Sequence, residues 1–181
     1  MNLDQDIKIV GDKPSVDVKR NRLLQENGGE CTPEQIDSAK ALGKMVAVRF
    51  LEDAADNENP SEIDNCDMIL QRRLLLSFTA TVGFEMYCKD DMLDGIAQKS
   101  FLDTLKRNNT ELYNSSSDTG AFSFYYLAFR RGGEIDRRIG QTFAMLCSHD
   151  GDPIFQELGE ALYCWFMSEI KKCADELGMT D

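Results

Sequence analysis

The sequence predicts an all-α protein: a single-domain bundle of five to seven helices joined by short loops. Three observations predict it. The 181 residues include only 13 glycines and 4 prolines, and β-branched runs are few, which argues against a sandwich or barrel. Apolar residues recur at three- and four-residue spacing over most of the chain after residue 31. A capping side chain followed by proline opens three of these stretches, at Thr32-Pro33, Asn59-Pro60 and Asp152-Pro153.

The segment 1–31 reads as a flexible N-terminal arm. It mixes charges with Gly11, Pro14, Gly28 and Gly29, and only Ile7, Ile9 and Val10 could seed order there. The helical domain occupies 32–181. A chain of this length buries on the order of 70% of the surface its unfolded form exposes, so it needs no covalent staple.

The first helix starts at Thr32, with Pro33 at its first position and Gln35 completing a capping box. Ile36, Ala39, Gly43, Val46 and Phe50 then share one face, and the run fades into a loop at Asp53-Asp56-Asn57-Asn59. The second helix, about 62–88, carries Ile63, Cys66, Leu70 and Leu74 as a stripe. From Leu74 the stretch LLLSFTATVGFEMYC is apolar almost all round, the mark of a buried helix. It is too short and too interrupted to cross a bilayer, which takes about 20 residues. Gly83 offers a kink or a close approach, and the alternation Phe78, Ala80, Val82, Phe84 also fits a strand.

The third helix covers about 91–107 and is stopped by Asn108-Asn109, after which NSSSDTG at 114–120 reads as a turn-rich loop. A second apolar helix follows at about 119–131 and ends at Gly132-Gly133. This one and the helix at 62–88 are expected at the centre. Another helix runs over about 134–147, with Ile135, Ile139, Phe143 and Leu146 inward. The last opens at Asp152-Pro153 and places Ile154, Leu158, Leu162, Trp165, Ile170, Cys173 and Leu177 in its apolar stripe. That spacing predicts Trp165 in the core.

Composition excludes several functions. Asp and Glu number 32 against 20 Lys and Arg, a net charge of -12, whereas binding a phosphate backbone or an anionic membrane relies on clustered cations. Neither nucleic acid nor membrane is an expected partner. The six cysteines include no C-x-x-C pair, which removes zinc-ribbon and thioredoxin readings. The start MNLDQDIKIVGDK lacks the apolar core of a signal peptide, so a reducing cytoplasm is the expected location.

The lone histidine, His149, excludes paired Glu-x-x-His metal sites. With Asp150 and Asp152 it reads as a solvated turn between helices. Asp90-Asp91 with Asp94 reads as a solvated helix end. No catalytic residue, metal or cofactor is predicted.

Chemistry concentrates in Gly120–Gly140, where Phe122, Phe124, Tyr125, Tyr126 and Phe129 precede Arg130, Arg131, Arg137 and Arg138. Phe122, Tyr126 and Phe129 have core spacing, while Phe124 and Tyr125 fall on other faces. Arg130 and Arg131 suit the negative end of a helix. Glu134 and Arg138 have i,i+4 spacing. Arg137 alone lacks a structural reason. The expected function is a cytoplasmic interaction or regulatory protein without catalytic activity, homodimeric or bound to another protein. The alternative is a small-molecule site for an anionic ligand, lined by Tyr125 and Tyr126 and anchored by Arg130, Arg131 and Arg137.

Overall fold

Four of the helices among the described residues begin where a side chain accepts from a backbone N–H group that has no partner within the helix. A computed structural model describes residues 31–57, 66–117 and 119–180, and the helical body begins at Thr32. The arm predicted over 1–31 lies, but for Cys31, outside the described residues, as does the helix start at Asn59-Pro60. Among the described residues there are seven α-helices and no strand. They are α1 (Pro33–Asp56), α2 (Cys66–Tyr87), α3 (Asp91–Asn108), α4 (Thr110–Ser117), α5 (Ser123–Arg130), α6 (Ile135–Leu146) and α7 (Pro153–Glu176), with a 3-10 turn at Thr119–Phe122.

The caps at Thr32 and Asp152 follow the sequence, and Asp90 adds a third. Thr32 Oγ1 accepts from the Gln35 N–H at 3.2 Å, and Gln35 Oε1 accepts from the Thr32 N–H at 2.8 Å, a closed capping box. Asp90 accepts from the Met92 N–H at 2.7 Å and Asp152 from the Ile154 N–H at 2.9 Å, placing carboxylates at the positive ends of α3 and α7.

The alternating stretch from Phe78 to Phe84 is helix, not strand, and forms the middle of α2. Every side chain from Leu74 to Ala80 is buried, so no solvent face remains to reveal a helical period. Its polar atoms are satisfied internally. Thr79 donates to the Leu75 carbonyl at 2.8 Å, and Ser77 donates to Ser116 Oγ of α4 at 2.7 Å.

Two aromatic clusters hold the helices to α2. In one, Phe50 of α1 lies 5.9 Å from Phe101 of α3 and 6.2 Å from Phe166 of α7, and Phe84 of α2 closes on Phe101 at 5.9 Å. In the other, Phe78 is ringed by Phe122, Tyr125, Tyr126 and Phe129, at centroid distances of 6.0, 5.3, 5.1 and 6.4 Å. α5 joins the body through this second cluster. Its own buried residues are Tyr125 and Ala128, and its other side is open.

Two glycines permit the tightest packing. A Cβ on Gly43 of α1 would fall on the Ala97 carbonyl of α3 and lie 2.9 Å from Ser100 Cβ; a Cβ on Gly140 of α6 would strike the Gln156 carbonyl of α7. The Ser100 hydroxyl seals the first crossing by donating to the Lys40 carbonyl at 2.8 Å.

Three sequence expectations change. Asp53 and Asp56 belong to α1 rather than to a loop, because Arg72 of α2 neutralises Asp53. Most of the turn-rich stretch 114–120 is helical: α4 runs to Ser117, and the 3-10 turn starts at Thr119. Asn109, which stops α3, also starts α4 by accepting from the Leu112 N–H at 3.0 Å. Trp165 is 41% exposed. The inner face of α7 follows Leu162, Phe166, Ile170 and Cys173, which leaves the indole on the shoulder, 5.6 Å from the Phe166 ring.

Candidate functional site

The aromatic and arginine residues of Gly120–Gly140 do not converge on one point. Tyr125 is fully buried, stacked on Phe78 at an interplanar angle of 25°. Its hydroxyl has no hydrogen-bond partner among the described residues. Burial, with a smaller contribution from Cys147, pushes its pKa far up, so it stays a neutral core phenol. Tyr126 is half-buried and edge-on to Phe78, and its hydroxyl donates to Glu85 Oε1 at 3.5 Å. Burial and then the Glu85 charge raise its pKa. Arg130 lies over the Tyr126 ring, 5.8 Å from the centroid, a cation–π geometry at an exposed site. Arg131 is exposed at the end of α5.

The two arginines of α6 exchange the roles their spacing suggests. Glu134 pairs with Arg137 at 3.3 Å, not with Arg138. Arg138 turns back instead and donates to the Gly132 carbonyl. The reason lies in the turn: Gly132 and Gly133 have φ of 65° and 76°, a left-handed bend that swings the Gly132 carbonyl toward the first turn of α6. Arg137 thus has a structural partner, in an exposed pair that carries little energy.

A recess of about 430 Å³ lies elsewhere, where the last turn of α2 and the first turn of α6 meet the middle of α7. Met86, Tyr87, Asp136, Tyr163, Met167 and Lys171 are among its walls, and none of Tyr125, Tyr126, Arg130, Arg131 and Arg137 is. Its sequence signal is the second stripe of α7, where Tyr163, Met167 and Lys171 recur at four-residue spacing beside the inner face.

Burial and then the Asp136 carboxylate push the Tyr163 hydroxyl up to about 12. Burial and then Asp175 raise Tyr87. Cys164, also in the wall, is raised by burial and Asp136. At neutral pH these groups are protonated donors, and the thiol is a poor nucleophile. The recess can therefore bind through apolar contact, hydrogen bonds and charge.

His149 lies flat on Phe155, with ring centroids 3.7 Å apart and Nδ1 3.9 Å from Asp152 Oδ2. Burial, then Glu85, Asp91 and Asp90, raise the Asp94 pKa. Among the described residues no group of three or more His, Cys, Asp or Glu is placed to hold a metal ion, and no helix is long and apolar enough to cross a membrane. No protein-family model, curated protein or solved structure matches the chain.

Proposed function

We propose that this chain is a cytoplasmic, all-helical interaction protein that pairs with a second copy of itself through the outer face of α5. The observation that carries this reading is the exposure of Phe124 and Leu127, at 52% and 58%. They stand three residues apart, on one face of the helix. The opposite face is already spent on the Phe78 cluster. Exposed large apolar side chains that adjoin one another mark interaction sites, and a face that meets its own copy by twofold rotation is the commonest way to cover one. Arg130 and Arg131 at the end of the helix offer cations beside that face on an otherwise acidic chain. The buried free thiols Cys88 and Cys173 suit a reducing compartment.

The anionic-ligand alternative has less support, because Tyr125 lies in the core and Arg137 is engaged by Glu134.

Light scattering coupled to size exclusion tests the proposal. The expected mass is twice the 20.4 kDa of the chain. Phe124→Ser combined with Leu127→Ser should return the single-chain mass with helicity unchanged. A wild-type protein that is monomeric at every concentration overturns the reading.

A further inference from the structure

We propose that the recess between α2, α6 and α7 receives a basic amphipathic helix from a partner protein. This inference rests on reading the chain as an interaction protein, and it names a partner distinct from the second copy at α5.

Shape is the first ground. On α7 the wall runs from Tyr163 through Met167 to Lys171, eight residues or roughly 12 Å of helix length. Met86 and Tyr87 at the end of α2, with Ile135 and Asp136 at the start of α6, complete the wall. The result is a trough open to water, with Met86 56% exposed. An apolar trough two helical turns long fits one face of a helix, read through anchors at i, i+3 or i+4, and i+7. Methionine suits the task because its unbranched thioether adapts to differently shaped side chains.

Charge chooses the partner. Asp136 is in the wall, Glu160 acts on Cys164 of the same wall, and Asp175 acts on Tyr87. Lys171 is the cation among the wall residues. Within the wall Asp136 and Lys171 balance, and the charges that reach Cys164 and Tyr87 from beside it, Glu160 and Asp175, are both carboxylates, on a chain of net charge -12. A second copy would bring its own negative charge to this rim. A helix with lysine or arginine flanking an apolar stripe would be attracted and oriented by it. The tyrosine hydroxyls, protonated at neutral pH, still accept hydrogen bonds from ammonium groups.

The test uses the full chain and a fluorescein-labelled peptide of leucine and lysine at helical spacing, about 14 residues or four turns long. Anisotropy is read at ~0.15 M salt, where long-range attraction is screened. Saturable binding is expected. Met86→Ser and Asp136→Asn should each raise the Kd about tenfold, and both positions are exposed, so folding is spared. Lys171→Glu should lower the Kd, a change of opposite sign that no unfolding mimics. A peptide of the same composition in scrambled order should bind at least about tenfold more weakly. No saturable binding, equal binding of the scrambled peptide, or a Kd unmoved by Met86→Ser and Asp136→Asn overturns the proposal. Mass measured on the same samples separates the two readings: a dimer that ignores the peptide removes the trough alone, and a monomer that binds it removes the α5 dimer alone.

Discussion

Arg72 of α2 holds Asp53 of α1 in a two-pronged grip, Nε to Oδ2 at 3.0 Å and Nη2 to Oδ1 at 2.6 Å. Asp53 lies in the last turn of α1, where a carboxylate opposes the helix dipole. Its side chain is 8% exposed, so it needs the fork. Asp53→Ala should destabilise the protein by about 1.5–3 kcal/mol in urea unfolding. The larger part of that loss is the stranded guanidinium. Asp53→Ala together with Arg72→Met should therefore cost less than the sum of the two single changes; strict additivity would show the pair to be uncoupled.

Two glycines within helices should respond to alanine with opposite signs. Gly43→Ala drives a Cβ into the Ala97 carbonyl, and the two helices must separate, at about 1–3 kcal/mol. A Cβ at Gly95 of α3 meets nothing within 4 Å. Gly95→Ala should therefore stabilise by about 0.5–1 kcal/mol, through helix propensity and lost freedom in the unfolded chain. Thermal melts of the two variants, one below and one above wild type, check both.

Trp165→Ala should cost about 1–2 kcal/mol, since the indole is only part-buried against Phe166, and not the ~3–5 of a fully buried aromatic. A urea titration followed by far-ultraviolet circular dichroism decides between these values.

Stability should fall in alkali. Burial, then Asp94, pushes the Cys88 thiol from 9.0 up to about 11, and burial with Asp136 pushes Tyr163 from 10.0 to about 12. Between the paired values the unfolded chain has released protons that the folded chain still holds, so rising pH favours unfolding. The urea midpoint should drop from pH 9 to 11 and again toward 12. Cys88→Ala should flatten the first part of that decline. A flat profile in the wild type would contradict the burial of both groups.

The chain's caps and its apolar helices were legible because their causes are short-range. Thr32, Gln35 and Asp152 each act within three residues of their own helix start, whereas Asp90, expected only as part of a solvated helix end, proves to be the cap of α3. The stretch 110–117 was not legible, because what holds it as helix is distant: Ser77 on Ser116, and Arg73 on Glu111 at 2.7 Å. The candidate site was read less well. Aromatic density drew attention to Gly120–Gly140, yet Tyr125 serves the core, while the recess gathers Met86, Ile135 and Met167 from three separate helices.

By itself the sequence determined the helical class, the capped starts of α1 and α7, and the burial of α2, since helical periodicity and capping are set by neighbours three and four residues away. Tertiary structure alone decided that Arg138 seals the glycine turn while Arg137 takes Glu134, that Trp165 sits at the surface, and where the recess lies. Which partner a side chain meets across a helix interface depends on how the helices cross. That crossing is set by contacts such as Gly43 on Ala97 and Gly140 on Gln156, between residues that no local spacing relates.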